Sequence, residues 1–375
     1  MAKKCYIGVG GIARKVKKGY IGVDGIARKI KKAYIGIGGV ARPCWSSGQL
    51  EYYGTITPMS EGQYDLCATT VGRYALFGGG SLANTVYTGK VEGYSASLTR
   101  FDVDSLSTPK VSGAATTVGN FALFGGGLSV ASTSGHTKVV DSYDTSLTMT
   151  TITGLSAARA YLGATTIGNY ALFAGGYSRN YNHNEVDAYD TSLTKTTPAV
   201  LYSARSVYGA ATTVGNYALF GNGNSNKIID VYDTSLTKTT ISTNTQRTNS
   251  TATTVGNYAL FAGGYYNNGS PLTVVEAYDA SLTMTTIIGL SVGRRDLSAT
   301  SVGDYALFAG GSEKSTSFSV VVDAYDATLT RTTPTALNGG RKSMGSTTVG
   351  DYALFAGGYG GNFSNLYSEV VAYTA

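Results

Sequence analysis

Residues that could do chemistry are sparse in this chain, and few are spaced to act together. Its only two histidines, His136 and His183, fall in different copies of a repeat. A zinc or copper centre takes three or four converging ligands, so two distant histidines read as polar surface residues. Glu185, Asp187, Glu276, Asp279 and Asp323 could supply the carboxylates of a glycosidase or lyase, with tyrosine beside them. Each stands where the repeat predicts a structural or solvated side chain, and no nucleophile–base pair or phosphate-cradling loop accompanies them. Asp144, Asp190, Asp233, Asp279 and Asp326 open equivalent turns, which Asx capping explains better than a metal does. Arg159, Arg205, Arg294 and Arg341 also recur at one place in the pattern. They could gather an anion at a channel mouth, although bonds to the backbone of a neighbouring repeat suit them better. Cys5, Cys44 and Cys67 form neither a CxxC pair nor a disulfide framework; Cys67 is expected in the core, and pairing of Cys5 with Cys44 stays open. No catalytic residue, metal site or cofactor is assigned, and binding rather than catalysis is the chemistry expected.

The elements that must position these residues are copies of one unit. ATTIGNYALFAGGY at 164–177 is one of seven near-identical copies, whose first glycines are Gly72, Gly119, Gly168, Gly215, Gly256, Gly303 and Gly350, spaced by 47, 49, 47, 41, 47 and 47 residues. A period of this size means one supersecondary unit that buries its apolar face on its neighbours. Each copy reads as four short strands, because β-branched and aromatic residues fill the runs, Gly and Asx punctuate them, and no helical period appears. The third strand ends in a tyrosine, from Tyr94 through Tyr143, Tyr189, Tyr232, Tyr278 and Tyr325 to Tyr373. Seven such sheets predict an all-β, seven-bladed β-propeller over residues 46–375. The seventh copy ends at VVAYTA without a fourth strand, while LEYYGTITPMS at 50–60 is a fourth strand without a copy. The N-terminal strand is therefore expected to enter the last blade and close the ring, which leaves no edge unpaired.

Residues 50–375 resemble the Kelch repeat family. The resemblance rests on Phe173-Ala174-Gly175-Gly176 at the end of strand two, on Val186-x-x-Tyr189-Asp190 in strand three, and on the arginine between strands four and one. The family's strand-four tryptophan is missing throughout and replaced by Thr-rich sequence. That departure makes the chain a divergent relative and gives no ground for carrying over adaptor roles. Some Kelch-like propellers are copper oxidases, but the His-plus-Tyr cluster such chemistry needs cannot be built from two histidines.

Composition divides the chain. A hydrophobic share of 42% with 14% charged residues suits a β protein with a substantial core. MAKKCYIGVGG lacks the apolar stretch of a signal peptide, and no run is long enough to span a bilayer, so cytoplasmic synthesis without membrane insertion is expected. Residues 1–45 hold 11 Lys/Arg and one acid, a net +10, and the remainder holds 18 basic and 22 acidic residues, a net −4. In the basic part a 14-residue repeat starts at Tyr6, Tyr20 and Tyr34. Asp24-Gly25 and the Gly-Gly pairs at 10–11 and 38–39 are hairpin signals. Isolated hairpins bury too little to stand alone, so this module needs copies of itself or a docking surface. Its anchoring residues are expected to be Tyr6, Arg14, Lys15, Tyr20, Arg28, Lys29, Tyr34 and Arg42. The repeat resembles short N-terminal modules of tail and other structural proteins of phages of Gram-positive bacteria.

The loops from strand two to strand three vary between copies, while the turns at the other end barely change. Divergent Tyr-, Asn- and Ser-rich loops on a constant frame suggest a recognition surface. Its candidate receptor-binding residues are Tyr87, His136, Tyr177, Tyr181, His183, Asn224, Tyr265, Tyr266, Asn267, Phe318, Tyr359, Phe363 and Tyr367. The expected protein is a homo-oligomeric virion component, a phage tail or fibre protein, that contacts other virion proteins through its basic module. Its loops would contact a host surface glycan, wall polymer or protein. A capsid head fibre or decoration protein fits the same layout. A third reading is an intracellular protein-binding propeller whose basic arm holds nucleic acid. An electrostatic arm would lose DNA affinity by orders of magnitude between about 50 and 200 mM salt. Assembly through the repeated Tyr, Ile and Val positions predicts instead that the full chain stays oligomeric across that range, which light scattering at both salt concentrations checks.

Overall fold

The computed structural model describes the backbone of residues 6–9, 12–15, 19–23, 26–30, 32–37 and 40–46, and residues 49–375 apart from 84–85, 130–134, 222, 224–226, 267–268, 315–316 and 362–364. The third copy shows how the repeat phrase becomes structure. Gly163–Ile167 and Tyr170–Ala174 pair antiparallel, with Ile167 opposite Tyr170. That register leaves a two-residue turn whose first residue, Gly168, has φ +52°, as a type II′ hairpin turn requires. A Cβ on Gly168 would also lie 3.3 Å from the Thr234 methyl carbon of the next copy. Val186–Asp190 adds to the other side of the second strand, and Lys195–Thr196 completes the sheet. In the turn between them Asp190 Oδ1 accepts the N–H groups of Ser192 at 2.8 Å and Thr194 at 2.9 Å. Asp144, Asp233, Asp279 and Asp326 cap their turns in the same way, which bears out the Asx assignment.

Seven four-stranded antiparallel sheets of this kind make a seven-bladed β-propeller. Their first strands pack side by side in a ring, from Cys67–Val71 round to Gly345–Val349 and back. The last sheet is closed as expected. Glu51–Ile56 pairs antiparallel with Val370–Thr374, Val370 opposite Ile56 and Thr374 opposite Glu51, with one irregularity between Ala372 and Tyr373. In the basic segment, Tyr6–Val9 pairs with Ile12–Lys15, Gly19–Val23 with Ile26–Ile30, and Lys32–Ile37 with Val40–Ser46, giving three hairpins.

Three sets of contacts join the blades. Each second-strand phenylalanine meets the third-strand tyrosine of its own sheet edge to face, as Phe173 meets Tyr189 at 5.9 Å and 89°. Phe173 also lies over Gly125 of the preceding blade, where a Cβ would sit 2.9 Å from its ring. The Tyr189 hydroxyl donates to the Thr153 carbonyl of that blade at 2.8 Å, and burial raises its phenol far above its ordinary value of 10.0. Around the axis the paired threonines of the first strands bond across the junctions. Thr116 and Thr166 Oγ1 atoms are 2.8 Å apart, Thr165 and Thr213 2.9 Å, and Thr212 and Thr254 2.8 Å. Thr213 Oγ1 also donates to the Thr166 carbonyl at 2.7 Å.

The third set is ionic and fully buried. Arg159 pairs with Asp187 at 2.9 Å, Arg205 with Asp230 at 2.6 Å, Arg247 with Glu276 at 2.6 Å, and Arg294 with Asp323. Lys110 and Asp141 repeat the arrangement at 3.2 Å. The arginines therefore do not line the channel mouth. They also donate to strand-two carbonyls, Arg159 Nη2 to Phe173 and Arg205 Nη2 to Phe220. The carboxylates Asp187, Glu276 and Asp323 are structural, each tying the incoming connector to a blade's third strand. Ser156 N–H, for example, donates to both oxygens of Asp187 at 3.1 Å. Removing one partner strands a buried charge, which costs about 3–5 kcal/mol. Arg294→Ala is expected to lower unfolding stability by that amount, and the Arg294→Met/Asp323→Leu double variant to recover most of it. Denaturant unfolding of the three proteins checks both values.

Candidate functional site

The connector that follows each buried cation sets the geometry at the mouth of the ring. The residue two places beyond it lies in the left-handed region at Ser112, Tyr161, Asn249, Asp296 and Ser343, Tyr208 does so three places beyond, and Asp65 does so two places beyond Gln63, which replaces the cation in the first blade, all at φ from +50° to +57°. Their backbones bond head to tail. Ser112 N–H donates to Asp65 O at 3.1 Å, Tyr161 to Ser112 at 2.8 Å and Tyr208 to Tyr161 at 3.1 Å. Asp296 donates to Asn249 at 3.2 Å, Ser343 to Asp296 at 3.4 Å and Asp65 to Ser343 at 3.0 Å. Seven equivalent backbone positions thus carry acid, hydroxyl, amide and phenol groups on one rim. The left-handed region costs a residue with a Cβ roughly 1–2 kcal/mol, and Asp and Asn tolerate it better than tyrosine. Tyr161 and Tyr208 hold the least comfortable of these places.

Below the rim opens a cavity of about 590 Å³ lined from all seven blades. Its wall is a ring of small residues that includes Ala68, Ala115, Ala164, Ala211, Ala252, Ala299 and Ser346. Two residues further along each strand comes the hydroxyl belt, with Thr70, Thr117, Thr166, Thr213, Thr254 and Thr348. Cys67 lines this wall and, partly buried, packs against the core cluster that includes Val71, Leu76 and Phe124; burial pushes its thiol up to about 11.

The rim is chemically lopsided. On one side the Tyr161 and Tyr208 rings stand 5.1 Å apart at 37°. Hydrogen bonds to Ser112 and Ser206 engage their hydroxyls, and burial raises both phenols. On the other side Asp296 accepts from Asn249 Nδ2 at 2.5 Å and from Lys342 Nζ at 3.3 Å, with Arg295 Nε at 3.9 Å. Asp65 accepts from Ser112 Oγ at 3.4 Å. Burial lifts its carboxyl above the ordinary 3.8, against the hydrogen bond from Ser343, with the Asp296 charge adding to the rise. A titratable group perturbed by burial inside a concavity is a usual mark of a functional site.

The variable loops join this rim. The residue after each Gly-Gly bridges to the connector residue just before the rim, as Tyr177 does to Ala160, Tyr265 to Thr248 and Tyr359 to Lys342. Of the loop residues expected to bind, His136 meets the edge of Tyr177 at 6.2 Å, and Arg295 lies over Tyr265 at 4.8 Å. Phe318 meets Tyr359 at 5.7 Å, and Tyr359 meets Tyr64 at 5.5 Å. Tyr87 is partly buried, its phenol raised first by burial and then by the charge of Asp65. Tyr181 and Tyr266 stand out at 72% and 42% exposure. Tyr367 lies under the Arg341 guanidinium at 4.6 Å and packs against Gly339. His183 is held between Ser178 Oγ at 2.6 Å and Glu185 Oε2 at 3.0 Å, so it is not a free surface histidine. Asn224, Asn267 and Phe363 lie outside the described residues, as do the side chains of the anchoring residues Tyr6 to Arg42.

The reading of the sequence did not reach the rim. Its signal in the sequence is one residue per copy, two or three places beyond the recurring Lys110, Arg159, Arg205, Arg247, Arg294 and Arg341, and it is weaker than that of the longer, tyrosine-rich loops beside it. Compared with known proteins, the chain matches no protein family and no curated relative.

The raised Asp65 carboxyl has a signed consequence. A folded value above the unfolded one contributes stability that is complete below the unfolded value, about 3.9, and is lost as pH rises through the folded one. Asp65→Asn should therefore be more stable than wild type at pH 7, with the gain shrinking towards pH 3.5. Melting temperatures of both proteins across that range check the sign.

Proposed function

We propose that this chain is a non-enzymatic recognition head of a phage virion, a divergent Kelch-like propeller carried on a basic hairpin module. One observation carries the reading. A frame of seven blades, five of which in succession carry the same buried pair and turn cap, varies most at one end, at the rim and the strand two-to-three loops. A rigid frame with varied polar and aromatic groups at one end suits recognition of a surface. The path of the chain supports the layout. It enters the propeller at Glu51, opposite Thr374, at the end of the sheet with the constant turns. The rim lies at the other end, so the hairpins precede the frame on the side away from the reader. In this reading the three hairpins seat the chain on other virion proteins, as copies in an oligomer, on a tail fibre or on a capsid fibre. The target is a host surface carbohydrate or wall polymer.

The net charge of +10 over residues 1–45 favours a second reading, an intracellular propeller with a nucleic-acid arm. Mass spectrometry of purified particles separates the two. The virion reading expects the chain at a fixed ratio to the major capsid protein, a low copy number pointing to a tail tip and a high one to capsid decoration. Presence in the lysate with absence from particles would sink it and leave the arm.

A further inference from the structure

We infer that the central well is a saccharide site, and that the terminal pyranose of a neutral glycan enters it between the tyrosine pair and the polar arc of the rim. This rests on the recognition reading above and locates it: the reader is the well, with the loops as its collar.

Size and shape come first. A cavity of about 590 Å³ falls inside the range of small-molecule pockets, about 300–1,000 Å³. Its wall of alanines leaves the interior wide, so contacts must come from the rim. There the two sides supply what a pyranose presents, an apolar C–H face and a girdle of hydroxyls. Tyr161 and Tyr208 are tilted rings 5.1 Å apart, and Tyr208 keeps 39% of its surface exposed. With hydroxyls engaged by Ser112 and Ser206, the rings are oriented before a ligand arrives. Opposite them Asp65, Asn249, Asp296 and Ser343 offer donors and acceptors in one arc. A sugar hydroxyl does both, and a mixed arc suits it better than a row of one kind.

Charge then decides between ligand classes. An anionic ligand would meet the carboxyl groups of Asp65 and Asp296, while the two cations of the rim, Lys342 and Arg295, already lie 3.3 and 3.9 Å from Asp296. A cationic ligand would find Asp296 already engaged by Lys342 and approached by Arg295, and Asp65 already accepting from the hydroxyls of Ser112 and Ser343. A neutral polyhydroxyl ligand meets neither obstacle. The backbone strengthens the case. Tyrosine occupies two rim places where Asn or Asp would sit with less strain, and those two are the ones in ring contact. Strain kept at a concave site is a reason to look for function there.

The experiment uses the full chain on an array of bacterial surface glycans, followed by saturation-transfer NMR with the methyl glycoside of the best terminal sugar. Wild type is compared with Tyr161→Ala and Asp65→Asn in the well, Tyr181→Ala and Tyr266→Ala at the loop tips, and Tyr202→Ala on an outer connector as control. Loss of a hydrogen bond to a charged group or of an aromatic face should weaken binding about 10- to 100-fold in the well variants. Asp65→Asn is expected to be the more stable protein at pH 7, so its loss of binding could not be put down to unfolding. Transfer from protein to the sugar ring, lost in Tyr161→Ala and kept in Tyr202→Ala, is the expected result. Glycan binding that survives both well variants but fails in the loop-tip variants would overturn the well and keep the recognition head. Competition by tetramethylammonium but not by the methyl glycoside would overturn the saccharide in favour of a cation. Capture of no glycan by wild type would overturn the saccharide too, and the particle analysis would still decide whether the chain is a virion protein.

Discussion

The buried cation between connector and third strand is the interaction on which the rest of the molecule depends. Each guanidinium stands at the point where the chain leaves one blade and enters the next, and its carboxylate partner belongs to the blade being entered. The pair closes the gap between two sheets, and the same carboxylate also holds connector N–H groups. A connector fixed in this way has little freedom left two residues later, where the backbone turns through the left-handed region onto the rim. Fidelity inside the wall is what allows diversity at its edge. The first blade shows the tolerance of the design, since Gln63 takes the cation's place and Glu92 is paired by Arg100 of strand four. The seventh does so differently. Val371 stands where the acid would be, and Glu369 reaches Arg341 at 3.4 Å.

Most of the fold was legible in the sequence, for reasons that can be traced to particular residues. The spacing of Gly72, Gly119 and their successors counts the blades because each glycine fills a turn position that no other residue fits as well. The missing fourth strand after Tyr373 and the orphan strand at 50–60 are complementary, so closure could be inferred by matching them. The aspartates of the SLT turns were legible because Asx capping acts over two to four residues. The partners of Arg159 and Arg294 were not, since Asp187 and Asp323 lie 28 and 29 residues away on strands whose facing depends on register. A single sequence without the folded sheet shows a regular arginine and a regular aspartate, but not that they meet.

The site was less legible than the fold, and the reason is geometric. Tyrosine-rich loops announce themselves by composition, whereas the rim consists of one residue per copy, different each time, inside a short connector. Asp65 and Asp296 look like isolated acids in sequence, and Tyr161 and Tyr208 are separated by a full repeat. Only closure of the ring brings Ser343 of the last blade beside Asp65 of the first. Of the loop residues singled out, those next to the connectors, such as Tyr265 and Tyr359, turn out to be tied to the rim, and Tyr181 and Tyr266 stand apart from it.

The closure of the last blade also sets a timetable. Glu51–Ile56 is among the first propeller segments to leave the ribosome, and Val370–Thr374, the strand it must pair with, is among the last. Until then an early strand waits without its partner, and the seventh blade lacks the sheet that would shield its edge. Blades one to six can assemble by contacts that are local along the chain, but the ring as a whole joins its two ends across more than three hundred residues of the 375. Long-range pairing of this kind is slow because the loop must close before any contact rewards it. During synthesis the chain is therefore an open arc of stacked sheets, and the rim, which needs all seven connectors, comes into being only when the last strand arrives.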